Sequence, residues 1–172
     1  MQLYLLRHGD AADRVTGGYE RDEDRPLTEK GREEARRAAA ALANLGVAVD
    51  LLLTSPLLRA SQTATLAAER LRPRRGPERS AAFAPGRRPE ETLDALRSYE
   101  GEDTEPDAPR RVVLVGHMPD LGNLAGWLVW GRGDLTVTLR TGGLCRIDLP
   151  GRPGAARGEL RWLLPPALLR RL

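Results

Sequence analysis

The chain has 172 residues, 41% of them hydrophobic and 30% charged, which suits one domain with a real core and excludes a disordered polyelectrolyte. No apolar run approaches the ~20 residues that cross a bilayer, Arg7 and His8 follow Met1 too closely for a signal peptide, and one cysteine excludes a disulfide framework. Formal charge is only +3, and the few aromatics do not interleave with the arginines, so neither nucleic acid nor membrane is an expected partner and a cytoplasmic location is.

Apolar runs alternate with helical patterns, the mark of an α/β sheet. Gln2 to Leu6 reads as a first strand, and a polar, acidic loop follows from Asp10 to about Pro26. Thr28 stands as N-cap of a helix in which Ala35, Ala38, Ala39, Leu42 and Leu45 recur at helical spacing up to Gly46. Asp50 to Thr54 is a second strand. Ser55-Pro56 then supplies an N-cap and an N1 proline for a helix to about Leu71, with Leu57, Ala60, Ala64, Ala67 and Leu71 as its core stripe. Arg72 to Arg88 reads mostly as loop, with a short strand near Ser80 to Phe83. Arg70 to Arg88 is the densest basic stretch and reads as a solvated face rather than a docking patch.

Pro89 starts a helix to about Tyr99, and a second acidic loop runs from Glu100 to Pro109. Arg111 to Val115, continuous and β-branched, is the pattern of a strand buried on both faces. Pro119 opens a helix with Leu121, Leu124, Ala125 and Leu128 on one face. Leu144 to Leu149 and Glu159 to Leu164 form a hairpin around a Gly/Pro-rich loop, and 165–172 is a short tail. Cys145 shares a strand face with Ile147 and Leu149, which predicts a buried thiol. The expected architecture is a single α/β domain over residues 1–172, three-layered, with a mostly parallel central sheet flanked by helices and a C-terminal hairpin.

The only two histidines stand at equivalent places. His8 lies just past the end of the first strand, and His117 just past the end of the strongest one. In a parallel sheet both ends open onto the crevice where α/β sheets bind ligands. Arg7 precedes His8, and Arg59 falls in the first turn of the helix after Ser55-Pro56, where free N–H groups already favour an anion. Two guanidinium forks and two imidazoles around one phosphoryl group would neutralise it without a metal. Gly9, lacking a Cβ, would let backbone approach that group closely. No metal cage or cofactor fingerprint is expected; Gly131-Arg132-Gly133 is too short for a dinucleotide turn.

Arg7-His8-Gly9, then Ser55-Pro56-Leu57-Leu58-Arg59-Ala60-Ser61-Gln62-Thr63, then Gly116-His117 resemble the signature of the histidine phosphatase superfamily, whose fold is phosphoglycerate-mutase-like. The match covers nearly the whole chain, with the motifs in the expected order. The start through Ala11, Arg25-Pro26-Leu27-Thr28 with Gly31, Ala84-Pro85-Gly86, and the stretch from Gly158 to Pro165 resemble the small SixA-type phosphohistidine phosphatases. The resemblance implies covalent catalysis by His8, with Arg7, Arg59 and His117 holding the phosphoryl oxygens, no cofactor, and a phosphorylated protein as substrate. Asp10 is given no more than an orienting part.

Many members of the superfamily carry a carboxylic acid after the second helix to protonate the leaving group. Here that segment reads Phe83-Ala84-Pro85-Gly86. Glu90 and Glu91 are the nearest candidates for a general acid, and both fall in the first turn of a helix, where acidic residues are simply good helix chemistry. A missing acid suits a P–N bond, because imidazole accepts its own proton near neutrality whereas an alkoxide needs help. The absence of a long lid insertion also suits a phosphohistidine on a protein surface. A phosphatase of small monoesters such as sugar phosphates is the alternative within enzymes, and a non-catalytic phosphate-binding module the alternative outside them.

Overall fold

Apolar side chains alternate along every central strand, and in the computed structural model, which describes residues 1–99, 110–150, 154 and 157–171, that alternation divides the core in two. The strands are β1 (Gln2–Arg7), β2 (Leu51–Thr54), β3 (Arg75–Arg79), β4 (Arg111–Gly116), β5 (Leu144–Asp148) and β6 (Glu159–Leu164). They form one sheet in the order β3-β2-β4-β1-β5-β6. Neighbours from β3 to β1 pair in parallel, and β5 pairs antiparallel with both β1 and β6.

The helices are α1 (Glu29–Asn44), α2 (Leu58–Leu71), α3 (Pro89–Arg97), α4 (Asp120–Trp130) and the short α5 (Pro166–Leu169). Leu3, Leu5, Leu53, Leu114, Cys145 and Ile147 face α3 and α4, meeting Leu93, Leu96, Leu121, Leu124 and Leu128. Tyr4, Leu6, Leu52, Val113 and Val115 face the other way, onto the alanines of α1 and α2. This is the expected three-layer arrangement. Cys145 is buried as its face predicted, and burial pushes its thiol up to about 12.

Three elements differ from the sequence reading. The strand in the arginine-rich segment is Arg75–Arg79, not Ser80 to Phe83; Ala81–Phe83 is a 3₁₀ turn capped by the Ser80 hydroxyl, which accepts from the Ala82 N–H at 3.2 Å. β3 is an exposed edge strand, so it carries no alternation to detect. The second helix begins at Leu58 rather than Pro56, because Leu57 is extended and its N–H donates to the Ser55 hydroxyl at 3.3 Å. The expected tail contains α5, whose Leu169 is buried against the α1 and α2 side. The acidic loop 100–109 and residues 151–153, 155 and 156 of the β5–β6 connection lie outside the described residues.

Because β1, β2 and β4 run parallel, their carboxyl ends finish at one edge. Arg7 pairs with Gly116 and Thr54 with Val115. His8, Ser55 and His117 therefore leave the sheet side by side.

Candidate active site

His8 and His117 emerge from adjacent strands, and their ring centroids are 5.0 Å apart. The His8 Nδ1 lies 2.7 Å from the Gly9 carbonyl oxygen. A carbonyl only accepts, so the proton sits on Nδ1 and the lone pair on Nε2. Arg59 donates its Nε–H to that Nε2 at 3.3 Å. His117 places Nε2 2.8 Å from the Ser55 hydroxyl. Arg7 donates from Nη1 to the Leu139 carbonyl at 2.8 Å, while its buried Nε has no partner among the described residues.

Helical spacing on α2 explains why Arg59 comes with its followers. Thr63, one turn on, donates to the Arg59 carbonyl at 2.8 Å and accepts the Gly9 N–H at 3.1 Å. Gln62 accepts the Leu27 N–H at 2.8 Å. One helix face thus carries the guanidinium and ties down the loop after β1.

Burial dominates the electrostatics. His8, Arg59 and His117 are 8%, 5% and 3% exposed. Desolvation, then the Arg59 and Arg7 guanidiniums, lowers His8 to about 4 despite its bond to Gly9. His117 is lowered to about 3, first by burial and then by His8 and Arg59, with Asp22 opposing. Both rings are neutral near pH 7, and His8 offers an unprotonated Nε2, hydrogen-bonded only by Arg59 among the described residues, beside two cations. Such a set can attack an electrophilic phosphorus and hold its oxygens.

Among the described residues, no group of three His, Cys, Asp or Glu side chains could hold a metal ion, and no helix is long and apolar enough to cross a membrane.

Arg7, His8, Arg59 and His117 are brought together as the sequence suggested. The Gly9 N–H is held by Thr63, and a Cβ there would lie 2.2 Å from the Gly31 carbonyl oxygen, so packing on α1 requires the glycine. Asp10 turns away, accepting from the Thr28 hydroxyl at 2.8 Å. Glu90 and Glu91 are exposed. Glu91 accepts the Arg88 N–H at 3.2 Å, the helix-start role.

Two carboxylates were missed. Asp22, on the 3₁₀ turn Asp22–Asp24, accepts Arg59 Nη2 at 2.7 Å while its carbonyl accepts Nη1 at 2.7 Å. Its pKa is lowered by the bond from Arg25 and then by Arg59. Asp120, the first residue of α4, shares a small cavity with His117 and accepts the Gly86 N–H at 3.0 Å. Nothing distinguishes Asp22 among the six acidic residues of its loop, and Asp120 carries only the general signal of an acid opening a helix.

The family model "Histidine phosphatase superfamily (branch 1)" matches residues 3–81. An uncharacterized protein of Picosynechococcus sp. is 40% identical, over 96% of this chain and 100% of its own length. The phosphohistidine phosphatase SixA of Escherichia coli is 28% identical, over 99% of this chain and 97% of its own. A solved SixA protein histidine phosphatase complexed with tungstate superposes with a TM-score of 0.81 at 26% identity, covering 98% of this chain and 99% of that one. A mycobacterial glucosyl-3-phosphoglycerate phosphatase, 20% identical, shares the fold with a TM-score of 0.72 over 95% and 99% of the two chains. With a lone-pair imidazole, two arginines and a second histidine on one sheet edge, and relatives of this kind along its whole length, the chain belongs to the histidine phosphatase superfamily and is a phosphatase.

Proposed function

We propose that the enzyme hydrolyses phosphohistidine on a protein, in the cytoplasm, as one catalytic domain. The Nε2 lone pair of His8 attacks phosphorus in line, forming an N–P bond as the P–N bond to the substrate imidazole breaks. Water then attacks phospho-His8, releasing phosphate and restoring the ring. Arg7, Arg59 and His117 bind the phosphoryl oxygens and stabilise their charge. The reading rests above all on the Nδ1–H tautomer of His8, fixed by Gly9, which aims the free nitrogen at the Arg59 side.

The substrate class follows from proton supply. A phosphohistidine ring takes a proton on its other nitrogen near neutrality and leaves as neutral imidazole, whereas a monoester alkoxide needs an acid. Glu90 and Glu91 are exposed at the start of α3. Asp22 accepts from both Arg25 and Arg59, which keep it ionised and unfit to donate. Similarity to SixA along the whole chain supports the same choice.

The test compares hydrolysis of a phosphohistidine protein with that of p-nitrophenyl phosphate, using His8→Ala as blank. The expected outcome is a strong preference for the P–N bond and no turnover by His8→Ala. Preference for the monoester would replace the substrate class with small esters, and residual turnover by His8→Ala would remove the covalent mechanism.

A further inference from the structure

Besides Arg7 Nε, two polar atoms near the site lack partners among the described residues: Nδ1 of His117 and Oδ2 of Asp120. Both side chains line one cavity of about 10 Å³, whose walls include Ala84, Thr92 and Leu121. A cavity of roughly this size holds a single water. Buried donors and acceptors are almost always satisfied, so two orphans on residues that line one such cavity call for a shared partner. The other Asp120 oxygen is held by the Gly86 N–H at 3.0 Å, which fixes the carboxylate at the start of α4.

We propose that Asp120 is a positioning residue for His117, accepting the Nδ1–H through one water in that cavity and so setting the ring's tautomer. Ser55 fits this arrangement. Its hydroxyl accepts the Leu57 N–H at 3.3 Å, and its own proton can point to the His117 Nε2 at 2.8 Å. The resting ring then carries its proton on Nδ1. A phosphoryl group that arrives on the Nε2 side as its monoanion carries a proton on oxygen; the proton passes to Nε2, and the imidazolium then donates it back to the oxygen as a hydrogen bond. The negative charge of Asp120 on the opposite side stabilises that doubly protonated form, as outer carboxylates do for functional histidines elsewhere.

The other charged or titratable groups around His117 are His8 and Arg7 from β1, Arg59 from α2 and Asp22 from the 3₁₀ turn. The cavity-lining side chains of the 83–92 stretch, Phe83, Ala84 and Thr92, carry no charge. His8, Arg7 and Arg59 oppose a charged ring, so Asp120 answers a need that Asp22 alone, already bonded to two arginines, meets poorly.

The proposal rests on the phosphatase reading for its catalytic meaning, but its first measurement does not involve turnover. In ¹⁵N-labelled full chain, two-bond ¹H–¹⁵N correlations report the tautomer of His117, with His8→Ala assigning the two rings. The expected result is a proton on Nδ1 in the free wild type; a proton on Nε2 overturns the proposal, whether or not any variant folds. Asp120→Asn, with Gly86 still bound to its carbonyl, turns an amide N–H toward that water, which then donates to Nδ1. It is expected to move the proton to Nε2 and lower kcat/KM about tenfold to a hundredfold, with part of the loss recovered in Asp120→Glu. Wild-type ring shifts in Asp120→Asn, even with reduced turnover, overturn it too. Inactivity of the wild type on both substrates would instead strike the phosphatase reading, leaving the tautomer result to stand alone.

Discussion

Every nitrogen of the Arg59 guanidinium is engaged in the free enzyme, Nε by His8 and the two Nη atoms by Asp22. A phosphoryl group that takes the bidentate fork must displace the Asp22 carboxylate, which is nearly half exposed and able to swing away. Asp22→Ala is therefore expected to tighten inhibition by inorganic phosphate severalfold; an unchanged or weaker inhibition constant would mean that Asp22 merely orients the fork. The four residues around the phosphoryl position were legible in the sequence because their side chains can do little else so close together: two histidines at strand ends, each accompanied by an arginine or a glycine. Asp22 and Asp120 were not legible. Their importance lies in which nitrogen each carboxylate meets, and only folding decides that. At Gly9 the lack of a Cβ signals close approach but not of what, and the approach seen is to Gly31.

That close approach belongs to the scale of elements. The backbone after β1 lies directly on the first turn of α1, where Cβ atoms at Gly9 and Gly31 would come within 2.2 and 1.9 Å of opposing carbonyl oxygens. Thr28 caps α1 by accepting the Gly31 N–H at 3.0 Å and holds Asp10 with the same hydroxyl. A methyl at position 31 must push the 8–10 segment outward. Gly31→Ala is expected to cost about 1–3 kcal/mol in a denaturant titration and to lower kcat/KM, because the displaced segment carries His8, the proposed nucleophile. Full activity at full stability would show that the segment relaxes freely. The capping threonine, the buried β4 run and the paired Cys145–Ile147 face were readable because local chemistry and burial agree there. The boundaries that slipped, at β3 and at the start of α2, are places where neither apolar periodicity nor capping chemistry marks the change. An exposed edge strand needs no alternation, and Ser55 serves His117 as well as the turn.

For the molecule as a whole, two rings kept neutral inside the fold link stability to pH. In the unfolded chain a histidine takes its proton near pH 6.5, whereas in the folded protein His8 and His117 resist until about 4 and about 3. Between those values the unfolded state binds more protons, so stability present above pH 6.5 is lost as pH falls, by up to about 1.4 kcal/mol per pH unit for each ring. Urea unfolding between pH 6.5 and 5, above the range of ordinary carboxylates, should show this slope, and His8→Ala should reduce it. The same slope in His8→Ala would mean that His8 is not held neutral. The pairing of Arg7 with Gly116 has a further bearing. Since the two histidines follow neighbouring strands of the buried sheet, their spacing is set by the hydrogen-bond ladder itself. No hinge has to close to bring nucleophile and oxygen-binding ring together. The contact that an incoming phosphoryl group has to displace is Asp22 on the Arg59 fork, so the two rings stand as a fixed anvil and the Asp22 side chain as the jaw that gives way.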